Sequence, residues 1–236
     1  MSDARQCVIL VGGLGTRLGA LTRETPKPLL PVRGRPFVEW LLLKARREGF
    51  DRALLLAGHG AEVLDAWFAG DVEARVGLTL AVSREPHPLG TAGALVHAET
   101  LLEDRFLLVN GDTWFDFDWA NLATAGGEAI MALRRVAPAD RYETVVLEGD
   151  RVTGLRPRDP ALVEGLINGG VYALSRSVLE GVSAPSSLEG ALLPRLAREG
   201  RLRGRVCEGS FIDIGVPESY RAVQDMDLGD PGEGAP

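Results

Sequence analysis

Four apolar residues, Cys7-Val8-Ile9-Leu10, run straight into a glycine-rich loop, Val11-Gly12-Gly13-Leu14-Gly15-Thr16-Arg17-Leu18, and few folds can use that junction. The apolar run reads as a short buried strand. Glycines at the end of such a strand let backbone N–H groups approach an anion closely. Arg17 follows within the loop, and Lys27 stands between Pro26 and Pro28. Two fixed cations beside a glycine loop suit a polyphosphate, so the segment reads as a site for nucleotide phosphates.

The rest of the first half alternates strand-like and helix-like segments. Residues 37–47 place Val38, Leu41, Leu42 and Ala45 on one helical face, with Gly49 as the stop. Ala53–Ala57 and Leu78–Val82 read as strands, 62–68 and 91–103 as helices, and Phe106–Val109 as another buried strand. This order predicts an α/β chain with a Rossmann-like, doubly wound, mainly parallel mixed sheet and helices on both faces. The second half is richer in strands, at 130–136, 144–147, 152–155 and 167–174, with Glu148-Gly149-Asp150 as a hairpin turn. Helices are expected at 187–199 and 217–227, and a disordered tail from Gly229. Residues 1–228 are expected to form one domain, its nucleotide-binding half ending near 127 and a sugar-phosphate-binding half running from 128 to 228.

At 236 residues, 45% apolar and 25% charged, the chain can bury a sizeable core. A net charge of −7 argues against nucleic acid and anionic membrane as partners. No apolar run approaches membrane-spanning length and the first residues carry no signal-peptide pattern, so a cytoplasmic location is expected. Cys7 and Cys207 are expected to be buried free thiols, with a disulfide as the alternative. A homo-oligomer is left open.

Two familiar glycine loops are excluded by the residues. The dinucleotide fingerprint lacks its third glycine, because Leu18 stands there, and no lysine follows a glycine in the Walker pattern. The segment instead resembles the opening of the sugar-phosphate nucleotidyltransferases, GG-x-G-T-R-L followed by x-P-K-x-L-x-P. It matches at Gly12, Gly13, Gly15, Thr16, Arg17 and Leu18, then at Pro26, Lys27, Leu29 and Pro31; Val11 replaces the usual alanine. The resemblance implies the nucleotide-diphospho-sugar transferase fold, with Leu10, Gly12, Gly13, Gly15 and Thr16 holding nucleotide.

Ligands of open α/β sheets sit beyond the carboxyl ends of strands. Asn110-Gly111-Asp112 is such an end, and its glycine is expected to admit the ligand. The resemblance makes Asp112, and Asp213 of Phe211-Ile212-Asp213-Ile214-Gly215, the ligands of a magnesium ion; a simple turn cap is the alternative for Asp112. In Glu85-x-x-x-Leu89-Gly90-Thr91-Ala92-Gly93, Gly90 is read as allowing a base to approach and Thr91 as a helix N-cap. This block is similar to the guanylyltransferases for mannose 1-phosphate and heptose 1-phosphate. A carboxylate at Glu85 can accept both adjacent N–H donors of guanine, against the alternative of a plain surface glutamate.

On the sugar-phosphate side, Asn168-Gly169-Gly170-Val171-Tyr172 resembles the family's sugar-contacting segment, with Asn168 and Gly170 as binding candidates. Glu143 and Pro157 depart from the family pattern, and Arg158 stands where a phosphate-clamping lysine is usual. Trp114, Phe115, Phe117 and Trp119 wall a pocket or pack the core. His59, His87 and His97 have no ligand-like spacing. The implied reaction is Mg²⁺-dependent transfer of a nucleotidyl group, from GTP in the favoured reading, to a sugar 1-phosphate, with Arg17 and Lys27 as the catalytic cations. A uridylyl- or thymidylyltransferase and a non-catalytic nucleotide-sugar sensor are the alternatives.

Overall fold

The computed structural model describes residues 5–13, 16–23, 25–58 and 60–229, with only the main chain at 16, 20 and 61. Gly15, His59 and the expected tail from Asp230 lie outside them. The apolar junction folds as β1 (Gln6–Leu10), with Cys7, Val8 and Ile9 fully buried. After a 3-10 segment at Thr16–Thr22 and another at Lys27–Leu29 come the short pair β2 (Pro31–Val32) and β3 (Arg35–Pro36), then α1 (Phe37–Arg47). The predicted face of α1 is buried in full, Arg46 and Arg47 sit favourably at its negative end, and Gly49 leaves it at φ +88°. β4 (Arg52–Ala57), α2 (Ala61–Phe68), α3 (Val72–Val76) and β5 (Thr79–Arg84) follow. The five-residue α3 is too short to show a period in sequence.

Next come α4 (Gly90–His97), β6 (Arg105–Asn110), β7 (Thr113–Phe115), α5 (Trp119–Thr124) and β8 (Ala129–Val136). The hairpin β9 (Thr144–Glu148) and β10 (Arg151–Arg156) turns at Gly149, φ +62°. β11 (Gly165–Ser175), α6 (Leu193–Arg198), β12 (Leu202–Val206), β13 (Phe211–Asp213) and α7 (Pro217–Ala222) complete the order. Three expected helices are shorter than read. The 91–103 helix stops at His97 before a 3-10 turn, and the 217–227 helix changes to 3-10 at Val223. The 187–199 helix opens as a π turn, Leu188–Leu192, because Pro194 has no N–H with which to continue a regular ladder.

Two compact units are interleaved along the chain, so neither corresponds to a single stretch on one side of residue 127. The first comprises Arg5–Pro88, Val109–Trp114 and the chain from Ile212; the second comprises Leu89–Leu108 and Phe115–Phe211. β6 contributes its first four residues to the second unit and its last two to the first. The strand order is β5-β4-β1-β6 in the first unit and β6-β11-β8-β12-β10-β9 in the second. β1, β4 and β5 are parallel, β8 and β12 are parallel, and β11 runs antiparallel to β8, as β9 and β12 do to β10. The mixed, doubly wound sheet expected from the element order is therefore present. Trp114, Phe115 and Trp119 are wholly buried and belong to the core rather than to a pocket wall.

Candidate active site

Within the first unit, the carboxyl ends of β1 and β6 come together. Gly111 N–H donates to the Leu10 carbonyl at 3.0 Å, and a Cβ at Gly111 would collide with that same carbonyl oxygen. Gly111 therefore makes room for the neighbouring strand, not for a ligand as expected. Asp112 follows with its carbonyl accepting from Ile214 N–H at 2.9 Å, which sets Asp112 beside the Asp213 turn.

Lys27 is 8% exposed, and its Nζ donates to Asp112 Oδ2 at 2.7 Å. Its turn is fixed by Leu29 N–H to the Pro26 carbonyl and Leu30 N–H to the Lys27 carbonyl, while Pro26 and Pro28 hold φ on either side. Asp213 Oδ1 accepts from Gly215 N–H. A Cβ at Gly215 would meet Asp213 Oδ1 and would stand 3.1 Å from Arg17 Nη2, so the Arg17 guanidinium reaches the same turn. Burial, and then the negative charge of Asp112, push the Asp213 carboxyl above its ordinary range; Lys27, the Gly215 N–H and Arg17 oppose the shift without cancelling it.

Gly13 has open space where a side chain would start, whereas Gly12 is needed because a Cβ would stand 2.7 Å from Gly58 N. Glu85 is half-buried, and its Oε1 lies 3.4 Å and 3.3 Å from the Cβ positions of Gly12 and Gly58. The glutamate thus lies against the glycine loop rather than out on the surface.

The remaining candidates belong to the second unit. Thr91 is not the N-cap of α4. Ala92 and Gly93 N–H both donate to the Ser186 carbonyl, so a distant segment satisfies the amides that a capping side chain would have taken. Thr91 Oγ1 accepts instead from Leu188 N–H at 2.7 Å and donates to Glu189 Oε2 at 3.3 Å. Gly90, at φ +74°, has no room for a Cβ because of Ser186, so its close approach is to protein and not to a base as expected. Asn168 Oδ1 accepts from Gly170 N–H at 3.0 Å and its Nδ2 donates to Tyr172 Oη at 2.5 Å, spanning a bulge where Gly170 has φ +70°. Arg158 is exposed, with Nε donating to the Asp140 carbonyl at 2.8 Å.

Three residues escape sequence reasoning. Asn110 Oδ1 is buried with no hydrogen-bond partner among the described residues, a position that a ligand or water donor would satisfy. Tyr220 Oη and Gln224 Nε2 both donate to the Pro31 carbonyl, at 2.7 Å and 3.0 Å, tying α7 and the turn after it to the segment that follows Lys27. None of the three has a sequence signal for this, since each depends on what lies opposite.

The ends of β1 and β6 thus bring the Lys27–Asp112 pair, Asp213 and Arg17 to one place beside Gly12 and Gly13. The chain belongs to the nucleotidyl transferase family, whose model matches residues 6–229. It is 33% identical over 220 residues to the D-glycero-alpha-D-manno-heptose 1-phosphate guanylyltransferase of Campylobacter jejuni, covering 91% of this chain and 96% of that protein. It is also 33% identical to the probable mannose-1-phosphate guanylyltransferase 1 of Oryza sativa, covering 91% of this chain but 62% of that protein. Among solved structures, HddC from Yersinia pseudotuberculosis complexed with GMP-PN has a TM-score of 0.82 and 28% identity, covering 93% of this chain and 98% of that one. No helix among the described residues is long and apolar enough to cross a membrane.

Proposed function

We propose that the protein transfers a guanylyl group from GTP to a sugar 1-phosphate, heptose 1-phosphate or mannose 1-phosphate, and releases pyrophosphate. The observation that carries the base assignment is the Glu85 carboxylate against Gly12 and Gly58, beside the loop that would hold the phosphates. One carboxylate can accept from both guanine N1–H and N2–H. The heptose and mannose 1-phosphate guanylyltransferases named above support the same base and acceptors.

The acceptor's phosphate monoester is largely ionised near neutral pH, its second pKa being about 6. One of its oxygens bonds to the α-phosphorus in line, the bond from that phosphorus to the β-phosphate oxygen breaks, and pyrophosphate leaves with the electron pair. No general base is needed, and catalysis rests on positioning and charge neutralisation. Lys27, oriented by Asp112, bridges the nucleotide and sugar phosphates, while Arg17 neutralises the transferring and leaving groups. Leu10, Gly12, Gly13, Gly15 and Thr16 supply the cradle.

Asp112 and Asp213 fit a magnesium ion. They are hard oxygen donors set side by side by the Ile214 N–H bond to the Asp112 carbonyl, and a cation there would offset the burial and the Asp112 charge that raise the Asp213 carboxyl. Among the described residues no group of three or more His, Cys, Asp or Glu side chains could hold a metal, so phosphate oxygens and water would complete the shell. When bound, the cation neutralises phosphate charge. On the acceptor side, Asn168 keeps one donor and one acceptor beyond its internal bonds, with Gly170 beside it, and Arg158 keeps its terminal guanidinium nitrogens for the sugar phosphate. Gly90 and Thr91 position the base-side loop. Two buried, unlinked thiols suit the reducing cytoplasm.

The test is a panel of nucleoside triphosphates and sugar 1-phosphates with pyrophosphate release as the readout. GTP with a heptose or mannose 1-phosphate is expected to be the best pair. Preference for UTP or dTTP overturns the guanylyl assignment.

A further inference from the structure

A groove of about 490 Å³ in the second unit shares no residue with the site above. Ile130, Leu147 and Gly204 line it together with Gly149 and Asp150 of the β9–β10 turn and Ala125 and Gly126 of the loop after α5. Its charged wall is Arg203 and Arg205, alternate residues of β12 that share a face of the sheet.

Both other walls are pinned. Arg105 donates to the carbonyls of Ala123 at 2.7 Å and Gly127 at 2.6 Å, and also to that of Ala125, which fixes the loop. Gly204 N–H donates to the Asp150 carbonyl at 2.7 Å, which fixes the hairpin turn.

The two arginines of the groove are only partly engaged by the protein. Arg203 stands across from Arg151, which itself stands across from Glu148. The single carboxylate of the lining, Asp150, is 70% exposed and pairs with Arg203 at 3.6 Å. Arg205 donates one nitrogen to Asn121, at 2.6 Å from its Oδ1. Two guanidiniums over a preformed, glycine-lined floor with apolar neighbours suit an anion carried on a small organic body.

We propose that this groove is a second ligand site, binding a small phosphate-bearing metabolite through Arg203 and Arg205. The phosphate lies on the two guanidiniums, while the body of the ligand rests on Ile130, which shares their face of the sheet. The site does not depend on which base or sugar the enzyme uses.

The experiment is isothermal titration of the whole protein with GDP and, separately, with inorganic pyrophosphate. The wild type is expected to bind one equivalent more than the Arg203→Ser/Arg205→Ser variant, or to lose roughly tenfold to a hundredfold in the affinity of one of its two sites. Asp150→Asn, at an exposed position, is expected to tighten the same site severalfold and keeps the test decisive if the double variant does not fold. Filling by pyrophosphate identifies the phosphate alone as sufficient; filling by GDP only assigns the site to nucleotides. Equal stoichiometry and affinity in all three proteins, for both probes, overturns the proposal, whatever the transferase assay shows.

Discussion

The charged groups of the first unit and the polar groups of the second are in opposite states. Lys27, Asp112, Asp213 and Arg17 lie close together, and burial with the charge of Asp112 leaves the Asp213 carboxyl with a raised pKa. Thr91, Asn168 and Arg158 already hydrogen-bond to their own chain. A cluster held in electrostatic tension gains from an incoming cation and phosphates, because the protein has already met the cost of assembling it. A satisfied hydroxyl or amide gains little unless it exchanges partners. The first region's groups therefore await a charged partner, whereas Thr91, Asn168 and Arg158 of the second already hold their own loops.

The sharpest test of that contrast is Lys27→Ala. Pyrophosphate release should fall about a thousandfold with the circular dichroism spectrum unchanged, since the lysine acts on charge and not on packing. Asp213→Asn should lower metal-dependent turnover by about a hundredfold. It should also change stability in the metal-free protein. A carboxyl whose folded pKa is raised favours the fold while it is protonated, so stability declines as pH climbs from the ordinary carboxylate range through the raised value. Melting temperature measured against pH with a chelator present should show this decline in the wild type and lose it in Asp213→Asn.

Glu85→Gln should cost roughly tenfold in kcat/KM for GTP, because an amide oxygen is a weaker acceptor than a carboxylate and its NH₂ opposes a guanine donor. Steady-state kinetics with GTP and UTP measure it. Thr91→Val should affect turnover least. It strands the Leu188 N–H and should lower unfolding stability by about 1–3 kcal/mol in a denaturant titration. If Thr91→Val instead matched Lys27→Ala in lost turnover with stability intact, the contrast between the two regions would be wrong.

Sequence reading succeeded where the signal was local. Val8 and Ile9 are buried because an apolar run between polar ends has little else to do, and Gly149 turns a hairpin because it can adopt positive φ. The cations and carboxylates were legible because such groups beside glycines need a reason to be there. It failed where a distant residue decides the outcome. Thr91 looks like a cap until the Ser186 carbonyl takes the same amides, and Gly111 looks like a ligand's approach until the Leu10 carbonyl occupies the space. Asn168 falls between the two cases, recognisable as a candidate but with its Tyr172 bond hidden in a bulge.

The two cysteines give the molecule a pair of built-in clocks. Burial raises the Cys7 thiol far above its usual range and pushes Cys207 up to about 11, so neither is reactive while its surroundings stay closed. Cys7 lies in β1 of the first unit, and Cys207 directly follows β12 in the second. The rate at which an alkylating reagent reaches each thiol in the native protein therefore times the opening of one unit separately from the other, without any introduced label.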